Sequence, residues 1–253
     1  MTDPGDYSDR VAIALLLRHG NSTSNAAGTL AGWTDGVALD ERGRAQAAEA
    51  AARLAELPIR RVIISPLQRC RETAQALLDA LAARGTRLDP VVEEGIVECR
   101  YGAWTGRPLK ELAQEPLWRT VQDQPSAAVF PASDEHEAES MAAMAARAVA
   151  TVRRVDAEVE AEHGPGALWV AVSHGDIIKA VLADAAGAHL DQVQRFTAGP
   201  ASVSVVQYTP RRPFLIASNS TGPLAELLPQ PPAEGDGHGD AVVGGGARGQ
   251  SAD

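Results

Sequence analysis

The chain has 253 residues, 45% of them hydrophobic, and a formal net charge of −10. This length is enough for one large domain with a full core, or for two small domains. The charge pattern contains no basic stripe, which argues against nucleic acid and anionic membranes as partners, and no apolar run approaches the roughly 20 residues of a membrane helix.

The N-terminal sequence "MTDPGDYSDR" is polar and acidic, and it lacks the charged-then-apolar pattern of a signal peptide. We therefore expect a cytoplasmic protein. Cys70 and Cys99 lack zinc-type spacing. In the cytosol we expect two reduced, partly buried thiols, with a single structural disulfide as the alternative.

The first elements are a strand and a helix. Residues 1–10 are predicted to be a disordered lead, and the apolar sequence "VAIALLL" after them predicts a strand that stops at Arg18. The segment 39–57 predicts a helix, because Asp40 is a suitable N-cap residue and Pro58 follows the end of the segment.

A second strand and helix follow directly. The β-branched sequence "RRVIIS" predicts the strand. The helix after it is expected to have Ser65 as its N-cap residue, Pro66 at its first position and Gly85 beyond its end. A further short strand is expected near Val91 and Val92.

The middle of the chain, from about 105 to 135, predicts short helices around Leu109 and Trp118, because prolines interrupt the pattern. A long helix is expected from about Glu137 to His163, where apolar residues recur at helical spacing.

The last third of the chain repeats the opening pattern. The sequence "ALWVAVSHGD" predicts a buried strand followed by a histidine and a glycine, and "IIKAVLADAAG" predicts the next helix. The sequences "SVSVVQYT" and "PFLIASN" predict a hairpin that turns around Pro210 to Pro213. The composition of 229–253 predicts a disordered tail, which leaves one domain over residues 11–228.

Strands that alternate with helices indicate an α/β fold with a mostly parallel sheet between layers of helices. Ligands of such sheets bind beyond the carboxyl ends of the strands. His19 and His174 both lie there, and each precedes a glycine that permits close approach of the backbone.

Four side chains in this region suit phosphoryl transfer: Arg18, His19, Arg69 and His174. A neutral imidazole is a nucleophile when one ring nitrogen keeps its proton and the other lone pair is free. Guanidinium groups bind phosphoryl oxygens as a fork, and phosphoryl transfer needs mainly positioning and charge neutralisation. Taken singly, each residue has an ordinary alternative as a loop residue, a structural histidine or a solvated arginine.

Five motifs, in this order, resemble those of the histidine phosphatase superfamily, also called the phosphoglycerate-mutase-like family. They are "RHGNSTSN", "GWTDGVALDERGRAQA", "SPLQRCRETA", "ECRYGAWTG" and "SHGD", and they cover about residues 11–220. The resemblance implies a three-layer α/β/α sandwich with a mostly parallel sheet. The segment "YGAWTGRPLKELAQEPLW" also resembles an actinobacterial subgroup labelled as phosphomutases.

The resemblance implies a role for each matching residue. His19 corresponds to the nucleophile that becomes phosphohistidine. Glu98 corresponds to the general acid that protonates the leaving alkoxide and then activates water, with Glu93 and Glu94 as the alternative carboxylates. The implied phosphate-binding residues are Arg18, Asn25, Gly32, Arg69, His174 and Gly175. The family needs no metal or cofactor, so we expect none.

The phosphohistidine passes its phosphoryl group to water in a phosphatase and to a substrate hydroxyl in a mutase. Mutases that resemble this family carry a neighbouring arginine pair between the acid and the second histidine. In this segment Arg100, Arg107, Lys110 and Arg119 are scattered, and the adjacent Arg153 and Arg154 lie late in the long helix. We therefore expect a metal-independent phosphomonoesterase acting on a small phosphorylated metabolite. The alternatives are a phosphoglycerate-mutase-like phosphomutase and a non-catalytic phospholigand-binding protein. The acidic insert at 134–139 would repel a polyanionic substrate if it faced the site, and the edge hairpin allows a homodimer.

Overall fold

The computed structural model describes residues 11–224 and 227–228, which contain six strands and seven α-helices. The predicted disordered lead (1–10) and tail (229–253) lie outside them. The strands are β1 (Ile13–Arg18), β2 (Ile59–Ile64), β3 (Val91–Val92), β4 (Leu168–Ser173), β5 (Val203–Tyr208) and β6 (Pro213–Ser220). The helices are α1 (Thr23–Ala27), α2 (Glu41–Leu54), α3 (Gln68–Ala83), α4 (Leu109–Leu112), α5 (Pro116–Asp123), α6 (Met141–His163) and α7 (Gly175–Ala185).

The strands form one sheet in the order β3-β2-β4-β1-β5-β6. The four strands β3, β2, β4 and β1 pair in parallel, whereas β5 runs antiparallel to both β1 and β6. Arg18 pairs with Ser173, so β1 and β4 end level with each other. The mostly parallel sheet and the C-terminal hairpin are confirmed.

Helices cover both faces of the sheet, which confirms the three-layer α/β/α prediction. The side chains of β1 alternate between the faces. Ala14 and Leu16 pack in the core under α6 and α7, whereas Leu15 and Leu17 pack in the core under α2 and α3. A strand that is buried on both faces reads as a continuous apolar run, as β1 does.

Two predicted helix starts are wrong. Helix α3 begins at Gln68, and Leu67 rather than Ser65 is its N-cap residue, so Pro66 precedes the helix. The hydroxyl of Ser65 is used elsewhere, as described below. Helix α6 begins at Met141 rather than near Glu137, and its cap is Ser140, whose side chain accepts the N–H of Ala143.

The cap of α2 is confirmed, because the Asp40 carboxylate accepts the N–H of Gly43 at 2.6 Å. Both cysteines are free and fully buried, so the disulfide alternative is wrong and the thiols are more deeply buried than predicted. Within the described ranges, no helix combines the length and the apolar character needed to cross a membrane.

Candidate active site

The residues that follow β1, β2 and β4 meet at one cavity of about 360 Å³. The level ends of these parallel strands bring together side chains that are far apart in the sequence. Of the predicted site residues, Arg18, His19, Asn25, Gly32, Arg69, Glu98 and Gly175 line the cavity. His174 is fully buried beside His19, with the two ring centroids 5.3 Å apart in an edge-to-face arrangement.

His19 holds one defined tautomer. Its Nδ1 lies 2.7 Å from the carbonyl oxygen of Gly20. A carbonyl only accepts hydrogen bonds, so Nδ1 carries the proton and the lone pair of Nε2 is free. Burial, followed by the charges of Arg69 and Arg18, holds the pKa of His19 well below its usual range. The ring is therefore neutral at physiological pH.

The loop after His19 is fixed by close contact with α2. A Cβ on Gly20 would lie 2.4 Å from the carbonyl oxygen of Gly43, and a Cβ on Gly43 would lie 1.9 Å from that of Asn21. The N–H of Gly20 donates to the hydroxyl of Thr73 at 3.1 Å. Glycine after His19 therefore permits close backbone approach, as predicted, and the partner is the first turn of α2.

Arg18 and Arg69 place two positive charges at the cavity without a carboxylate bonded to either. Arg69 is almost fully buried and donates to the carbonyl of Gly32 at 2.9 Å, whereas Arg18 donates to the carbonyl of Ala198 at 2.6 Å. Among the residues that the structure describes, the buried Nε of Arg18 has no hydrogen-bond partner. In the described part of the chain, neither guanidinium forms an ion pair. Buried cations of this kind need an anionic partner.

His174 is fixed by Ser65, which explains why Ser65 does not cap α3. The Ser65 hydroxyl lies 2.8 Å from Nε2 of His174, and the Cys70 thiol lies 3.5 Å from the same atom. On the other side of the ring, Nδ1 is 3.8 Å from a carboxylate oxygen of Glu98. Burial raises the pKa of Cys70 to about 12, so this thiol is not a nucleophile.

Glu98 is a carboxyl group that is only partly ionised at neutral pH. Burial, followed by the negative charge of Asp176, raises the pKa of Glu98 to about 7. One of its oxygens accepts the N–H of Cys99 at 3.0 Å. Of the two alternatives, Glu93 pairs with Arg154 at 2.8 Å, and neither Glu93 nor Glu94 lines the cavity.

Arg147 clamps the backbone of the Glu98 loop. From the second turn of α6 its guanidinium donates to the carbonyl oxygens of Gly95, Val97 and Glu98, at 2.9, 2.7 and 3.0 Å. The same group pairs with Glu139 at 2.6 Å. The carboxylate of Glu139 is thus held outside the helix, which is the physical reason why α6 starts later than predicted.

Asp176 and Lys179 extend the cavity along the first two turns of α7. The Asp176 carboxylate accepts the hydroxyl of Tyr101 at 2.8 Å, and it lies 3.4 Å from the ammonium of Lys179. Tyr101 follows Glu98 by three residues, so this bond ties the acid loop to α7. Lys179 also donates to the side-chain oxygen of Gln194 at 2.6 Å.

Three of the predicted phosphate-binding residues contact neighbouring protein groups. The side-chain oxygen of Asn25 accepts from both the N–H and the hydroxyl of Ser22. Gly32 adopts φ of 49° and presents its carbonyl to Arg69. Gly175 packs against the guanidinium of Arg18, and a Cβ on Gly175 would lie 3.4 Å from that group.

The acidic insert does not face the site, since none of its residues lines the cavity and Glu137 pairs with Arg100 at 3.1 Å.

Sequence reasoning missed four residues that shape the site: Ser65, Arg147, Asp176 and Lys179. Only Ser65 and Asp176 carried a local signal, because each lies inside a quoted motif. Among the described residues, no group of three or more His, Cys, Asp or Glu side chains is placed to hold a metal ion.

Comparison with known proteins gives the same family for most of the chain. The model of the histidine phosphatase superfamily (branch 1) matches residues 14–221. Phosphoserine phosphatase 1 of Hydrogenobacter thermophilus is 29% identical over 84% of this chain and 94% of its own length. The solved structure of a mycobacterial glucosyl-3-phosphoglycerate phosphatase is 25% identical, has a TM-score of 0.69, and covers 83% of this chain and 100% of that one.

A mutase also matches over a shorter segment. The 2,3-bisphosphoglycerate-dependent phosphoglycerate mutase of Thermoplasma acidophilum is 35% identical over 39% of this chain. This chain therefore spans about half the length of that mutase, 47% of it.

Proposed function

Since the chain belongs to the histidine phosphatase superfamily, whose members are phosphatases or phosphomutases, we propose that it hydrolyses a small phosphomonoester through a phosphohistidine on His19. One observation carries this proposal. A neutral, oriented histidine with a free Nε2 lies beside Arg18 and Arg69, two cations whose charge the structure leaves without a bonded carboxylate. A phosphoryl dianion supplies the missing charge.

Arg18 and Arg69, which both line the cavity, bind the phosphoryl oxygens. The N-terminus of α7 at Gly175 adds its positive helix end. Ser65 fixes the ring of His174, which lies outside the cavity lining and packs edge-to-face against the ring of His19. These groups neutralise the equatorial oxygens, which is the main requirement of phosphoryl transfer.

In the first step the lone pair of His19 Nε2 attacks phosphorus, and the bond between phosphorus and the ester oxygen breaks. Protonated Glu98 gives its proton to the leaving alkoxide, so the free alcohol departs. In the second step the Glu98 carboxylate takes a proton from water while the water oxygen attacks phosphorus. The phosphorus–nitrogen bond breaks, orthophosphate leaves, and both residues return to their starting states.

The alternative is a phosphomutase, in which a substrate hydroxyl takes the place of water in the second step. The observation that favours it is the 35% identity to the Thermoplasma acidophilum mutase over 39% of the chain. A non-catalytic binding protein would have no use for a free nucleophile and a protonated carboxyl group at one cavity.

The test is a phosphatase assay in EDTA with p-nitrophenyl phosphate and 3-phosphoglycerate, which follows orthophosphate and 2-phosphoglycerate separately. We expect orthophosphate release from p-nitrophenyl phosphate that EDTA does not reduce. His19→Ala is expected to lower kcat by roughly a thousandfold or more. His189→Ala is the matched control, because this histidine is 69% exposed and lies outside the cavity.

Full activity in His19→Ala would overturn the mechanism, and 2-phosphoglycerate without matching orthophosphate would establish the mutase. The cytoplasmic location, the homodimer through the edge hairpin, and the absence of metal, cofactor, nucleic-acid and membrane partners stay predictions. So does the domain boundary at residues 11–228.

A further inference from the structure

The ionisable side chains that line the cavity divide into two groups. Arg18 and Arg69 flank the nucleophile, and Lys179 lies one turn into α7. The acidic groups at the cavity are Glu98 and Asp176. In the described part of the chain these are the Arg, Lys, Asp and Glu residues of the lining. Once a phosphoryl dianion occupies the two arginines, Lys179 is the remaining cation.

The positive charge of Lys179 is already balanced by the carboxylate of Asp176. Its ammonium lies 3.4 Å from the Asp176 carboxylate and donates to Gln194 at 2.6 Å. Asp176 is held in place from the other side by the hydroxyl of Tyr101 at 2.8 Å. The side chains of Lys179 and Asp176 are 16% and 29% exposed, so the pair is shielded from solvent on most sides. A charge pair in such surroundings is screened only weakly by salt.

Resting on the proposed phosphatase function, we propose that the alcohol part of the substrate is uncharged and hydroxylated, and that Asp176 excludes substrates with a second acidic group. The Asp176 carboxylate and the Lys179 ammonium accept and donate hydrogen bonds to hydroxyl groups. The apolar side chains of Leu30, Leu109 and Phe196, which also line the cavity, face the carbon skeleton.

The selectivity comes from repulsion rather than from an added attraction. A carboxylate on the alcohol part would meet Asp176 as a like charge, and it would compete with Asp176 for Lys179. A hydroxyl at the same place meets no such cost. The two arginines cannot assist a second acidic group, because they are already bonded to the phosphoryl oxygens.

Two phosphomonoesters that differ at one carbon test this inference. Glycerol 3-phosphate carries a CH₂OH group where 3-phosphoglycerate carries a carboxylate. Each is measured as a competitive inhibitor of p-nitrophenyl phosphate hydrolysis, so neither has to be turned over. The assay is run at pH 6, where Glu98, with a pKa of about 7, is mostly protonated and the negative charge comes from Asp176. We expect the inhibition constant of 3-phosphoglycerate to be at least about tenfold higher.

Two variants change this ratio in opposite directions. Asp176→Asn keeps an acceptor for Tyr101 and releases Lys179, so 3-phosphoglycerate is expected to bind about as well as glycerol 3-phosphate or better. Lys179→Met leaves Asp176 uncompensated, so 3-phosphoglycerate is expected to bind more weakly still. Glycerol 3-phosphate is expected to lose only the hydrogen bond from the ammonium, so the ratio of the two inhibition constants rises. If one variant fails to fold, the ratio of inhibition constants in the other variant still tests the inference.

Equal or tighter binding of 3-phosphoglycerate by the native protein would overturn the inference while the phosphatase function stands. An unchanged ratio in either folded variant would also overturn it. Tighter binding of phosphoserine than of glycerol 3-phosphate would contradict it too, since Asp176 and Lys179 would then separate to hold an amino and a carboxylate group. Absence of His19-dependent hydrolysis of p-nitrophenyl phosphate would remove the proposed function itself, and the inference with it.

Discussion

Replacement of Glu98 by Gln removes the proton donor of the proposed reaction and keeps the size of the side chain. An alkoxide leaving group needs a proton in the first step, whereas p-nitrophenolate leaves without one. Single-turnover cleavage of an alkyl phosphate is therefore expected to slow by about 10²–10⁴-fold, and that of p-nitrophenyl phosphate by much less. The second step still needs a base for water, so the aryl ester is expected to give a burst of one p-nitrophenolate per enzyme and then a slow steady state.

The pKa of Glu98 sets the pH range of this effect. With a pKa of about 7 instead of 4.5, the carboxyl group is about half protonated at pH 7. An unshifted glutamate would be protonated about 150-fold less often at that pH. Since the acid acts in its protonated form, kcat/KM for an alkyl phosphate is expected to fall as the pH rises through about 7. A bound phosphoryl dianion offsets the arginines that lower this pKa, so kcat is expected to fall at higher pH than kcat/KM.

The measurement is rapid-quench phosphoryl transfer with glycerol 3-phosphate and p-nitrophenyl phosphate from pH 5 to 9, for the native chain and Glu98→Gln. Glu94→Gln is the matched control, because Glu94 lies on the same segment and outside the cavity. Equal slowing of both esters in the first step would place the acid elsewhere. A fall in kcat/KM at the same pH in Glu98→Gln would show that another group titrates.

Three further changes have expected outcomes. The lysine in Arg147→Lys cannot bind three carbonyl groups and a carboxylate at once. In steady-state assays, turnover of an alkyl phosphate is therefore expected to drop about tenfold or more, with a smaller loss for aryl esters. Equal losses on both esters would make Arg147 merely structural. Gly20→Ala is expected to lower the free energy of unfolding in urea by about 1–3 kcal/mol or more, because its Cβ would lie 2.4 Å from a backbone oxygen. The control Gly222→Ala has open space around its Cβ, so its free energy of unfolding is expected to stay within about 0.5 kcal/mol of the native value. Burial raises the pKa of Asp156 from 3.8 to about 7, so the contribution of this residue to native stability falls as the pH rises between these values and is flat above them. Asp156→Asn keeps the bond from Trp169 and is expected to gain stability, on the order of 4 kcal/mol at pH 8 and much less at pH 5. A gain that does not depend on pH would refute this account.

The elements that the sequence predicts well are those whose signals are local. The strand β1 is an apolar run buried on both faces. Asp40 lies at the start of α2, where one carboxylate oxygen caps the helix and the other accepts from the side chain of Asn21. The positions of His19 and His174 followed from the rule that parallel strands end at one edge. No interaction across the sheet had to be known for any of these.

The errors occur where a distant residue competes with the local signal. Ser65 followed by Pro66 has the usual pattern of a helix start, yet His174, 109 residues away, takes its hydroxyl. Glu139 has good helix propensity, but Arg147 holds its carboxylate against the acid loop. Arg147 itself gave no signal, because a charge within a long helix is normally solvated, and only the tertiary fold places three carbonyl groups around it.

One physical cause prepares both reacting groups of the proposed mechanism. Burial disfavours charge, so it lowers the pKa of His19 and raises that of Glu98. At neutral pH the nucleophile is therefore unprotonated, and the acid keeps its proton in about half of the molecules. Arg18 and Arg69 keep their charge in the same surroundings, because guanidinium groups do not lose their protons in proteins. The cavity thus has the charge that a phosphoryl dianion requires, and binding of that dianion raises the pKa of the acid just before its proton is needed.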